Sequence, residues 1–125
     1  MLADSKAFSG FAVDDMEKAK QFYGETLGLN ITEEEMGVLG LNLAGGNDVM
    51  IYPKPDFEPA TYTILNFPVG DIDKSVDELS GRGVSFERYE GFDQDEKGIA
   101  RGDEGPSIAW FTDPAGNILA VLEEG

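Results

Sequence analysis

A chain of 125 residues with 41% hydrophobic and 27% charged side chains is sized and composed for one domain around one buried core. Its 25 acidic residues against 9 basic ones give a formal charge of −16, a field that repels phosphate backbones and anionic membranes and favours cationic ligands. It contains neither Cys nor His, which excludes disulfides, thiolate nucleophiles, Ser-His-Asp triads and imidazole metal ligands together.

The chain opens with "AFSGFAV", residues 7–13, a short strand that feeds "DDMEKAKQFYGETLGLN". There Met16, Ala19, Phe22 and Tyr23 recur at helical spacing, Asp14 or Asp15 caps the start, and Gly28 falls where a helix ends. "NITEEE", "GVLGLNLA" and "DVMIYPK" follow as strand-length runs broken by glycine turns, the last turn being "GGND". Three prolines in "YPKPDFEPATY" (52–62) mark a stiff linker, with Tyr52 and Lys54 near its start. A strand is then expected at about 61–69, a helix with Ile72, Val76 and Leu79 on one face and Gly83 at its end, and a strand at about 84–89. "FDQDEKGIARGD" is an acidic, glycine-rich stretch that reads as a solvated loop, or as a lid carrying Arg101. "IAWFTD" and "NILAVLEE" close the chain as a hairpin around the turn Asp113–Asn117.

The second half repeats the first. At one offset Phe11 falls on Phe67, Val13 on Val69, Asp15 on Asp71, Met16 on Ile72 and Lys18 on Lys74; at a larger one Gly46-Asn47 falls on Gly116-Asn117. The difference between the offsets is taken up in "EGFDQDEKGIARGDEG". Matching caps and matching core positions predict an α+β fold of two tandem βαβββ modules, at about 5–53 and 61–124 with a linker at about 54–60.

"VDDMEKAKQFYGETLGLN" and "FTDPAGNILAVLE" resemble the Asp-led helix and the closing hairpin of the glyoxalase, bleomycin-resistance and extradiol-dioxygenase superfamily, the vicinal oxygen chelate fold. The resemblance covers nearly the whole chain. It implies curled mixed sheets enclosing a central cavity within a single domain, and it does not fix an activity, since fold and function separate in this superfamily. Metal-dependent members hold one divalent ion with inward-facing residues, usually His on the first strand of each module and Glu on the last. Carried over, those positions are Phe8, Met50, Ile64 and Ala120, and all four are apolar. Shifting by one residue brings no ligand in, and Glu124, of the same strand parity as Ala120, stands about 13 Å further along. The usual metal site is therefore expected to be missing and no cofactor is expected. What stays open is an unusual site built from loop carboxylates, which would suit Mg, Ca or Mn.

On the implied fold, strand alternation turns Phe8, Met50, Tyr52, Tyr62, Ile64, Asn66 and Ala120 to the cavity, with Gly10 and Ala12 leaving room. These side chains either fill a barrel as ordinary core or line a ligand pocket. Trp110, the single Trp, either stacks on a planar ligand or buries the hairpin. The preferred reading is a metal-free protein that binds a small molecule, a cationic aromatic one among the candidates. The alternative is a glyoxalase-type lyase or isomerase using an atypical metal or none, with catalytic residues unassigned. A homodimer follows from the resemblance. With no run of 18 apolar residues and no signal-peptide pattern in "MLADSKAFSG", a cytoplasmic protein is expected.

Overall fold

Among the described residues two aspartates start the two α-helices. Asp15 accepts from the backbone N–H groups of Glu17 and Lys18, both at 3.1 Å, and opens α1, Met16–Gln21. Asp71 accepts from Lys74 N–H at 3.1 Å and opens α2, Ile72–Gly81. Each carboxylate satisfies amides that the first helical turn leaves without partners. The helices end on glycines in the left-handed region, Gly28 at φ +70° and Gly83 at φ +93°, where a side chain would be strained. Between Gln21 and Gly28 the helix does not stay α-helical: Phe22–Thr26 forms a π-helical turn. Tyr23, fully buried, meets the rings of Phe11 at 5.7 Å and Phe22 at 5.1 Å.

The computed structural model describes residues 1–46, 48–102 and 105–124. Asn47, and with it the match of Gly46-Asn47 to Gly116-Asn117, lies outside the described residues, as do Asp103 and Glu104 of the acidic loop. The chain divides into two compact units, Met1–Pro59 and Ala60–Gly125.

In the first unit β1 (Ser9–Val13), β2 (Asn30–Glu33), β3 (Leu39–Asn42) and β4 (Val49–Pro53) form a sheet of order β1-β4-β3-β2. The β1–β4 pair is parallel and the other pairs are antiparallel. Val13, Leu39, Leu41, Val49 and Ile51 are buried, as is Ala19 of α1. In the second unit β5 (Thr63–Val69), β6 (Ile108–Thr112) and β7 (Ile118–Glu123) form a sheet of order β5-β7-β6. Helix α2 packs on β7, and Glu123 accepts from the Ile72 amide at 3.0 Å at the start of that helix. Both sheets are mixed, and neither closes on itself.

The strand registers carry the sequence repeat. Gly10 pairs with Met50, Phe11 with Ile51 and Ala12 with Tyr52. The offset positions pair in the same way: Asn66 with Ala120, Phe67 with Val121 and Pro68 with Leu122.

The strand expected at about 84–89 is reduced to a single bridge between Phe86 and Phe111, with Glu87 N–H donating to Trp110 at 2.8 Å. The ladder stops there because the Gln94 side chain takes the next backbone groups: its amide donates to Glu87 O at 2.9 Å, and its oxygen accepts from Tyr89 N–H at 2.8 Å. Further along β6, Ala100 supplies the pairing opposite Ile108. Among the described residues the second sheet thus has three strands, and its module reads βαββ with bridges where βαβββ was expected.

Candidate functional site

Alternation and register set one face of the first sheet apart. Gly10, Met50, Gly40 and Thr32 form a row across β1, β4, β3 and β2, and two of the four have no side chain. Phe8, just before β1, shares the parity of Gly10 and is 64% exposed. At this end of the sheet a hollow of about 530 Å³ is lined by Phe8, Val38, Val49 and Met50 together with Glu34, Glu35 and Asp48. Tyr52, opposite Ala12 on β4, lies two residues along from Met50 on the same face and is 37% exposed.

The carboxylates of the hollow come from turns. Glu34 follows β2 and accepts from Thr32 Oγ1 at 3.0 Å, while its amide donates to Val38 O at 2.7 Å and closes the β2–β3 turn. Glu35 belongs to that turn, whose tip holds Met36 at φ +63°, nearly fully exposed. A bulky residue pays for that conformation. Asp48 immediately precedes β4, next to the Ser9–Val49 pair. Sequence reasoning singled out Phe8 and Met50 but missed Val38, Glu34, Glu35 and Asp48. The run "TEEEMG" before an apolar strand was the available signal, and only the tight turn brings it back to Met50.

The remaining candidate residues belong to the second unit. Asn66, Ala120 and Trp110 make the row that corresponds to Gly10, Met50 and Gly40. Ala120 is fully buried. Ile64 sits where the β5–β7 register slips between Thr63 and Leu65, so it falls out of the simple alternation. Tyr62 precedes β5 and is 70% exposed. Trp110 is 8% exposed and held in a ring cluster, with Phe92 at 4.8 Å and Tyr89 at 5.5 Å. Burial, and then the nearby charge of Glu87, raises the Tyr89 hydroxyl above its ordinary range, which makes it a poor base near neutral pH.

The acidic loop is a built element. Ile99 is fully buried, and Asp95 accepts from the amides of Lys97 and Ile99, both at 2.9 Å. Arg101 bridges Asp73 at 2.7 Å and Asp95 at 3.1 Å, and Lys97 reaches Asp77 at 3.0 Å and Asp73 at 3.5 Å. These bonds tie the loop to α2. Phe92, Asp93, Glu96, Arg101 and Gly102 remain exposed, as expected of a solvated stretch, while Gly98 and Ile99 are buried.

Residues 7–121 match the family model of the Glyoxalase/Bleomycin resistance protein/Dioxygenase superfamily. The chain belongs to that superfamily. Among solved structures it is similar to a member of the same superfamily from Sphaerobacter thermophilus, at 26% identity with TM-score 0.74, covering 98% of this chain and 99% of that one. A glyoxalase family protein from Bacillus anthracis matches at 20% identity and TM-score 0.75, covering 98% and 96%. TnmS3, an antibiotic binding protein from a Streptomyces species, matches at 23% identity and TM-score 0.71, covering 98% of each chain. No curated protein matches the chain significantly.

The residues at the four positions where the resemblance places the superfamily's metal ligands do not suit a hard divalent ion. Phe8, Ile64 and Ala120 offer no donor atom and Met50 only a thioether, which suits soft ions. Among the described residues no three carboxylates converge on a point that could hold an ion.

Proposed function

We propose that this protein binds a small molecule with an apolar, aromatic body and a positive charge, and binds it without turnover or metal. One observation carries the reading: the hollow of the first unit joins an apolar floor of Phe8, Val38, Val49 and Met50 to a rim of Glu34, Glu35 and Asp48. An aromatic ammonium ion suits both parts. Its ring buries against Phe8 and Met50, and its ammonium group, which keeps part of its hydration at the open rim, is met by carboxylates that need not converge as they would on a hard ion. The net charge of −16 favours the same ligand sign. The structural similarity to an antibiotic binding protein adds weight. Tyr52 extends the apolar face, whereas Tyr62, Ile64, Asn66, Trp110 and Ala120 belong to the second unit, where Trp110 and Ala120 are buried, and take no part in this reading. As the resemblance implies, the working form is taken to be a homodimer, which sedimentation would report as twice the 13.5 kDa chain; the cytoplasm is the compartment proposed for it. Among the described residues, no helix is long and apolar enough to cross a membrane.

Calorimetric titration with a panel of aromatic ammonium ions and their neutral isosteres is the test. Saturable binding of the cations is expected, weakened about tenfold by Phe8→Ala and by the pair Glu34→Gln, Asp48→Asn. Phe8 is exposed enough for its removal to leave the fold intact. Equal binding of neutral and charged probes would sink the electrostatic half of the proposal. Turnover of a hemithioacetal would replace the whole of it with the lyase reading.

A further inference from the structure

Met50 lies between two glycines, Gly10 opposite it on β1 and Gly40 opposite it on β3. A Cβ added at Gly10 would stand 3.5 Å from both Cβ and Cε of Met50, and 3.1 Å from its carbonyl oxygen. The thioether arm is therefore folded over the bare backbone of β1. Toward β3 the way is closed, because a Cβ at Gly40 would meet Thr32 Oγ1 at 2.8 Å and Glu34 Oε1 at 3.3 Å. Met50 thus has one lateral resting place, over Gly10, and its other direction is the hollow it lines. An unbranched side chain with three rotatable bonds moves between such positions at little cost.

The repeat supplies a contrast. At the corresponding positions the second unit has Asn66, Ala120 and Trp110, a small residue beside a large ring locked against Phe92 and Tyr89. One unit fills this row with a fixed indole, and the other with an unbranched arm beside a single gap, over Gly10.

Resting on the reading of the hollow as the binding site, we propose that Met50 determines the size of ligand it accepts. The arm swings out from Gly10 to close over a small aromatic cation and folds back onto Gly10 to admit a larger one. The protein then binds a range of ring sizes with similar affinity.

Two readouts test this. The first is methyl relaxation by NMR, with the four methionines labelled at the methyl carbon. Met50 is expected to average between rotamers in the free protein on the ps–ns scale; a single fixed rotamer would overturn the proposal whatever binds. The second is affinity for benzylammonium, naphthylmethylammonium and anthracenylmethylammonium. The wild type should hold all three within about fourfold, the worth of one buried methylene. Met50→Ala should shift preference toward the largest probe by about that factor for each methylene of space refilled. Met50→Leu, similar in volume but stiffer, should lose one end of the series. Identical selectivity in all three proteins would reject the role. If the wild type binds none of the probes, the binding reading fails and the role of Met50 falls with it, whereas binding of the probes beside a fixed Met50 rotamer or an unchanged selectivity rejects the role of Met50 alone.

Discussion

Asp113 shows how far one carboxylate can organise a turn. It is 4% exposed and accepts from the amides of Ala115 and Asn117 at 3.0 and 2.9 Å and from the Asn117 side chain at 3.0 Å. Its own amide donates to Asn117 O at 3.0 Å, and Gly116 supplies the positive φ of +95° that the turn needs. The Asp-Pro-x-Gly-Asn signature is thus explained by the needs of a buried hairpin. Asp113→Ala leaves three donors without their acceptor in a buried turn and should cost about 2–4 kcal/mol, read as a lower urea midpoint at unchanged slope. Motifs of this kind were legible in the sequence because each carries its reason locally: an aspartate three residues before an amide, a glycine where φ is positive. The carboxylates around Met50 were not, since Glu34 and Asp48 reach the hollow through the β2–β3 turn and the β1–β4 register, which no local spacing encodes.

Among the elements, the repeat was the most legible feature, and the segment 84–102 the least. Val84 and Phe86 alternate with Ser85 and Glu87 as a strand should, yet a single glutamine diverts the backbone: Gln94 also donates to Gly98 O at 2.8 Å and so gathers three main-chain groups into one loop. Periodicity cannot foresee that competition, because a side chain from outside the strand decides it. The same loop is tied to α2 through Asp73, Asp77, Lys97 and Arg101. These pairs are half exposed and screened by salt. Asp73→Asn should let the loop open about two- to fivefold more often at low salt, the worth of exposed ion pairs, and change nothing near 1 M salt, as measured by hydrogen exchange at Ile99. For Asp95, burial pushes the pKa up but is outweighed by hydrogen bonds from the Ile99 amide, Arg101 and the Lys97 amide, so the carboxyl is held below its ordinary range. A folded pKa below the unfolded one contributes stability that is complete above the ordinary carboxylate range and lost as pH falls through the depressed value. The loop should accordingly loosen in acid. Lys97, raised by its hydrogen bond to Asp77, contributes in the opposite sense, its share being lost only as pH climbs through the raised lysine value.

At the scale of the whole molecule the charge acts on kinetics. A field from 25 acidic and 9 basic residues extends beyond any single carboxylate of the hollow, and its effect on an approaching cation is to raise the encounter rate more than to tighten the final contact. Local and global charge can therefore be separated. Exchanging Glu34 and Asp48 for their amides removes two of the charges that line the hollow but leaves most of the field, so it should act mainly on dissociation. Salt screens the field over a Debye length that shrinks from about 30 Å at 0.01 M to about 3 Å at 1 M. Between those limits the association rate of an aromatic ammonium ion, followed by stopped-flow, should fall at least about tenfold, while that of its neutral isostere stays level. If both rates respond alike to salt, the acidity of the chain serves solubility alone, and the case for a cationic ligand rests on the rim of the hollow without support from the rest of the molecule.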